Sequence, residues 1–292
     1  MRHSSGCNDN RSAMKYGVYL SSVGEFSDPL LLVDLAQEAE EIGWDGVYIW
    51  DHIGQPNAAA DPWVTLAAIA MKTERVKMGP IVTPIARRRP WKLARETVTL
   101  DHLSNGRLIL GVGLGWSDQE FEVFGEEGEL KTRAEKLDEG LAIIDGLWSG
   151  EPFSIIGKHY HIKDACFLPQ PVQTPQIPIW VCGAWGKKKA SFRRAARWDG
   201  VISILEQGKN RAILPEEVRD IKAYIKQYRD KKTPFDIVVI LWSEGNRTEK
   251  ERLDTERYAE AGVTWWLEDL STERFSTLKE IRERLHKGPP GE

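Results

Sequence analysis

The chain has 292 residues, 41% of them hydrophobic and 29% charged, enough for one large core; a single barrel of roughly 250 residues is an ordinary domain size. A net charge of -4 excludes a general attraction to phosphate backbones or anionic membranes, and Arg87-Arg88-Arg89 is too short a basic run to form a nucleic-acid surface. Cys7, Cys166 and Cys182 are too widely spaced for a disulfide framework or a zinc pattern, which points to a reducing cytoplasm, and no stretch approaches the roughly 20 apolar residues that span a bilayer.

In chain order, residues 1–13 lack the apolar core of a signal peptide and read as a disordered tail, so residues 14–292 form the expected folded domain. From there, short β-branched or aromatic runs alternate with amphipathic segments. Strands are predicted at 16–20, 46–50, 76–82, 107–113, 177–183, 200–205, 236–242 and 263–267. Helices are predicted at 29–42, 62–73, 91–103, 133–148, 187–197, 215–229, 249–261 and 272–285. Asp28 before Pro29, Asp61 before Pro62, and Leu214 before Pro215 are start signals, since proline suits the first helical turn. Eight strand–helix repeats predict an α/β fold of the (β/α)8 TIM-barrel type, with an excursion over 116–176 between strands four and five. That excursion is read either as a lid over the barrel mouth or as a surface hairpin.

In such a barrel the chemistry lies at the carboxyl ends of the strands. Those ends supply Ser21 and Ser22, Asp51 and His52, Val82 and Thr83, Gly113 through Trp116, the 183–186 turn, Glu206, Trp242 with Glu244, and Glu268 with Asp269. His52 is the candidate acid/base, although a lone histidine is more often structural. Gly111, Gly113 and Gly115 look like an open backbone edge that a flat or phosphorylated ligand can approach. Gly183, Ala184, Trp185 and Gly186 lead into a helix expected to begin near Lys187, where free amides and Lys187, Lys188 and Lys189 suit a phosphate. Of 12 tryptophans, Trp50, Trp116, Trp180, Trp185, Trp242, Trp265 and Trp266 lie in or beside strand ends, where indoles can wall a planar heterocycle. His159 and His161 have the spacing of a strand-borne metal pair but no acidic neighbour in sequence, and no metal site is expected. Arg107, at the opposite end of strand four, reads as a salt-bridge residue. Paired acids among Glu206, Glu244, Glu268 and Asp269 leave a barrel hydrolase as a rival reading.

Four segments together, GWDGVYIWDH (43–52), RRRPWKLARETVTLDHLSNGRLILGVGLGW (87–116), EFEVFG (120–125) and GKHYHIKDACFLPQPVQTPQIPIWVCG (157–183), resemble the bacterial luciferase-like superfamily of flavin- or deazaflavin-dependent oxidoreductases. The resemblance implies a TIM barrel with the cofactor ring in its mouth. It implies a bulge on strand three over Ile81, Val82 and Thr83, with a cis peptide at Ile81–Val82, although Pro80 and Ile81 stand where the family has small residues. By the same resemblance Asp51 and His52 lie near the ring, Gly113, Gly115 and Trp116 border it, and Gly183, Ala184, Trp185 and Gly186 receive the cofactor phosphate. The compact chain and GWSDQEFEVFG resemble the coenzyme F420-dependent members, which transfer a hydride to or from a small organic substrate. An FMN-dependent monooxygenase using reduced flavin and dioxygen is the alternative, and a non-catalytic flavin-binding protein a further one. A homodimer is expected on the same basis.

Overall fold

The computed structural model describes residues 14–54, 57–116, 118–206 and 211–290. The predicted tail, 1–13, lies outside the described residues. The chain runs β1 (Lys15–Leu20), α1 (Pro29–Ile42), β2 (Gly46–Ile49), α2 (Pro62–Lys72), β3 (Lys77–Pro80), β4 (Thr83–Pro84), α3 (Pro90–Leu103) and β5 (Leu110–Gly113). It continues through α4 (Gln119–Glu122), α5 (Leu130–Trp148), β6 (Phe153–Ile156), β7 (His161–Ala165), β8 (Ile179–Trp185), α6 (Ala190–Ala195) and β9 (Gly200–Leu205). The last elements are α7 (Pro215–Lys226), β10 (Asp236–Leu241), α8 (Glu249–Ala261), β11 (Trp265–Leu270) and α9 (Leu278–His286).

The helices begin where their caps dictate. Asp28 accepts from the Leu30 amide at 2.9 Å and Asp61 from the Val64 amide at 2.9 Å, while Glu217 accepts from the Leu214 amide at 2.9 Å. All strands of the main sheet are parallel, in the order β3-β2-β1-β11-β10-β9-β8-β5-β4. Its two ends, β3 and β4, are halves of one barrel strand, and a bridge between Met78 and Leu108 closes the ring. The fold is therefore the expected (β/α)8 barrel.

Strand three splits because its middle bulges. The Ile81–Val82 peptide is cis, as the resemblance implies. Pro80 and Ile81 are accommodated because the facing strand is bare: a β-carbon on Gly111 would stand 2.2 Å from the Pro80 carbonyl oxygen. The closed barrel is filled rather than hollow. Tyr48, Trp180 and Trp265 pack in its interior with ring centroids 5.4 to 5.8 Å apart, above Gly46 and Gly200, whose missing side chains make the room. Trp180 and Trp265 thus belong to the barrel core, not to its mouth.

The excursion between β5 and β8 contains the antiparallel pair β6–β7. It rests on the outside of α5, where Glu139 accepts from the amides of Lys158, His159 and Tyr160. The β6–β7 part is thus the surface hairpin, while the start of the excursion, Trp116 and Glu120, stays at the barrel mouth. Among the described residues Arg107 forms no salt bridge, contrary to expectation; its guanidinium donates to Ser104, Ala70, Thr73 and Val76 oxygens at the barrel bottom. There it satisfies the carbonyls that end α2.

Gly111→Ala forces a methyl into a backbone carbonyl and is expected to cost about 3 kcal/mol, the upper end of overpacking effects. Urea denaturation of the purified variant measures it, and a change within error of zero contradicts the contact.

Candidate functional site

At the carboxyl ends of the strands a cavity of about 360 Å³ opens, within the range of small-molecule sites. Tyr19, Trp50 and His52 line one wall, Trp116 and Glu120 a second, and Ser203, Ile204, Leu205, Ile240 and Asp269 the far side. Below it lie partly buried Val82 and Cys182, packed on the barrel core. Burial pushes the Cys182 thiol up to about 12, so the floor carries no thiolate. Burial, together with Asp269, also pushes the Tyr19 phenol well above its usual range, leaving it a neutral donor. The Trp50 indole N–H and the Ser203 hydroxyl are buried and have no hydrogen-bond partner among the described residues.

His52 is held from behind. Its Nδ1 lies 2.9 Å from Glu120 Oε1, and the Trp50 ring meets it edge-on at 5.4 Å. The carboxylate keeps a proton on Nδ1 and leaves Nε2 to take or give the second. The other Glu120 oxygen accepts from Arg87 at 2.7 Å, and Arg87 also donates to Asp51 Oδ1 at 2.9 Å and to the Asp51 carbonyl at 3.0 Å. Arg88 reaches Asp51 Oδ2 at 2.9 Å, and the Thr83 hydroxyl donates to the same oxygen at 2.7 Å. Asp51 is thus a buried carboxylate beneath the site, neutralised by two guanidinium groups, and does not line the cavity. Burial alone raises the Glu120 carboxyl, but the bonds from His52 and Arg87 outweigh it and hold the group below its ordinary range.

The structure brings together His52, Trp116 and, one layer down, Asp51, Val82 and Thr83. It gives a different reason for the glycines. A β-carbon on Gly113 would lie 2.5 Å from Val82, and one on Gly115 would lie 2.9 Å from the Phe121 ring. These positions are bare because protein packs against them, and neither lines the cavity. Gly183 is bare for Phe192, at 2.9 Å. Gly183, Ala184 and Trp185 pair in register with Ser203, Ile204 and Leu205, so the 183–186 turn stands one strand from the cavity. The helix behind it is α6, six residues beginning at Ala190 rather than Lys187, too short to lend that turn a useful dipole.

Trp185 packs on Phe192 and Tyr224. Trp242 and Trp266 line a neighbouring cavity of about 710 Å³. Glu268 faces outward, buried beside Arg284, Ser243 and Trp266. It therefore forms no mouth pair with Asp269, which removes that version of the hydrolase. His159 does find an acid, Glu135 on α5 at 2.9 Å, but no cluster of three potential metal ligands occurs among the described residues. No described helix is long and apolar enough to cross a membrane.

Sequence reading missed Arg87, Arg88 and Glu120 as parts of the site. The two arginines carried a usable signal: they follow strand three, whose end must sit beside that of strand two and hence beside Asp51. Glu120 had none, because its approach to His52 is set by the loop after β5. Arg133 pins that loop, donating to the Leu114 carbonyl at 3.1 Å and pairing with Asp118.

Residues 14–262 match the family model described as luciferase-like monooxygenase. An F420-dependent glucose-6-phosphate dehydrogenase of Amycolatopsis mediterranei is 35% identical over 196 residues, 65% of this chain and 57% of that protein. Its namesake in Kineococcus radiotolerans is 37% identical over 65% of this chain and 56% of its own length. The chain thus spans a little over half the length of these curated relatives. The crystal structure of monooxygenase RslO1 from Streptomyces bottropensis has a TM-score of 0.63 at 26% identity, covering 85% of this chain and 78% of that one. An F420-dependent secondary alcohol dehydrogenase, solved with an F420-acetone adduct, shares the fold at a TM-score of 0.75 and 18% identity, covering 96% and 100%.

The lowered Glu120 pKa has a pH consequence. Its contribution to stability is fully present above about 4.5, the unfolded value, and is lost as pH falls through the lower folded value. Thermal midpoints of wild type and Glu120→Gln, measured from pH 5 to 3, are expected to differ at pH 5 and to converge as the pH falls below about 4.5. A gap that does not narrow in acid contradicts the pairing.

Proposed function

Because the chain belongs to the luciferase-like monooxygenase family, we propose that it is an oxidoreductase that uses coenzyme F420 to transfer a hydride to or from a small organic substrate. The observation that carries the reading is His52, braced at Nδ1 by Glu120 and with 24% of its side chain exposed at the mouth. The relatives named as F420-dependent dehydrogenases support the choice of cofactor.

The residues present fit a flat heterocycle. Val82 and Cys182 give the cavity an apolar floor, the indole of Trp50 offers an N–H unpartnered among the described residues to a ring carbonyl, and Trp116, 64% exposed, offers an indole face. When bound, the deazaflavin supplies a carbon that accepts or gives a hydride. For oxidation of an alcohol, the carbinol hydrogen leaves with its electron pair, and His52 Nε2 takes the hydroxyl proton. For reduction the same nitrogen returns it. Glu120 keeps the imidazole oriented, and Arg87 holds Glu120. Ile81, Val82 and Thr83 support the ring from below, Trp116 flanks it, Gly113 and Gly115 serve it indirectly by leaving room for Val82 and Phe121, and the 183–186 turn with Lys187 and Lys188 receives the phosphate.

FMN with dioxygen is the second reading, favoured by the likeness to monooxygenase RslO1. A reducing cytoplasm is the proposed setting, in keeping with two free cysteines, Cys166 and Cys182. The proposed homodimer is supported by α2, whose outer face presents Val64, Ala68 and Met71, 71% of Val64 and 67% of Met71 being exposed.

Titrating the purified protein with F420 and with FMN tests the cofactor. Micromolar F420 binding is expected; FMN binding alone, with oxygen uptake on reduction, selects the second reading. His52→Ala is expected to retain F420 binding and lose about 10²-fold in turnover, the usual contribution of a positioned acid/base. Light scattering of Met71→Glu is expected to show monomers where wild type gives dimers; two dimers, or two monomers, count against this face.

A further inference from the structure

We propose that Glu206 sets which cofactor the 183–186 turn accepts, by repelling a phosphomonoester more strongly than a phosphodiester. The inference rests on the reading that this turn receives the cofactor phosphate. It starts from the second glycine of the turn. A β-carbon on Gly186 would stand 2.3 Å from Glu206 Oε2 and 2.7 Å from its carboxyl carbon, so the carboxylate lies against the bare side of the turn. The Glu206 backbone is fixed there, its amide donating to the Trp185 carbonyl at 3.3 Å where β8 and β9 end together.

That carboxylate pairs with no cation among the described residues. Lys189 is engaged elsewhere, its ammonium 4.0 Å from the Trp185 ring centroid and 4.9 Å from that of Tyr224. Lys187 and Lys188 are exposed and attract any phosphate. A site built only to hold phosphate gains nothing from an unpaired acid on its glycine face. An acid there does distinguish ligands by charge, because Coulomb repulsion grows in proportion to it. FMN ends in a phosphomonoester, which carries about 1.5 to 2 negative charges near pH 7. The phosphate of F420 is a diester with a single charge. Whatever factor the carboxylate takes from binding of the monoanion, it takes close to the square of that factor from the dianion.

The test uses wild type and Glu206→Gln, which keeps the shape and removes the charge, each titrated by ligand fluorescence with riboflavin, the methyl ester of FMN, FMN and F420. The three flavins share a ring and differ in phosphate charge. The variant is expected to bind riboflavin unchanged, the methyl ester about threefold tighter and FMN about tenfold tighter, as a charge roughly 5 Å away in partly screened water dictates, with F420 following the ester. Equal gains for FMN and its ester, no gain for either, or an equal gain for riboflavin overturns the proposal. So does FMN binding that stays undetectable in a variant that still binds F420. If no ligand binds either protein, the cofactor reading fails, and the proposal with it.

Discussion

The approach of the Pro80 carbonyl to Gly111 is the contact on which the rest depends. Where a side chain would hold strands three and four apart, the bare Cα lets the bulge sink against β5, so that strand three breaks at Ile81 and resumes at Thr83. Its second half then delivers Thr83 to the Asp51 carboxylate and starts the turn that brings Arg87 and Arg88 to the same group. Gly113 repeats the device one step higher, where Val82 fills the space of the missing β-carbon.

From that point the site is a chain of charges with alternating sign. Asp51 has 2% of its side chain exposed, and a carboxylate so buried costs several kcal/mol unless it is matched. Two guanidinium groups and a hydroxyl match it, and the spare valence of Arg87 passes outward to Glu120 and so to His52. Of this series His52 and Glu120 reach the cavity lining, while Asp51, Arg87 and Arg88 stand behind them. This divides labour between a rigid interior, which orients, and one imidazole, to which the proposed mechanism gives the proton exchange. On the far side the cavity wall includes the end of β9, and one strand further out the 183–186 turn ends beside Glu206.

Much of this architecture is legible in the residues. Period and punctuation gave eight strand–helix repeats because Asp28, Asp61 and the prolines after them act locally, and local rules need no tertiary partner. His52 and Trp116 were recognisable as mouth residues because strand ends face the mouth in any such barrel. Other assignments failed for a common reason. The tryptophans at 180 and 265 sit in strands like the one at 50, and one strand step decides whether an indole fills the core or borders the mouth. The helix after the 183–186 turn began three residues late because Lys187, Lys188 and Lys189 carry charge but no cap.

By itself, then, the sequence determined the barrel, the order of its elements and the histidine at the end of the second strand, since each follows from short-range periodicity, caps or an ordered motif. Only the tertiary structure decided what the glycines are for and what stands behind His52. Gly113 and Gly115 read equally well as an opening for a ligand or as room for Val82 and Phe121, and the difference exists only once the neighbouring strand is in place. Glu120 lies 68 residues from His52, Arg87 35 from it, and no local rule joins them; closure of the ring does.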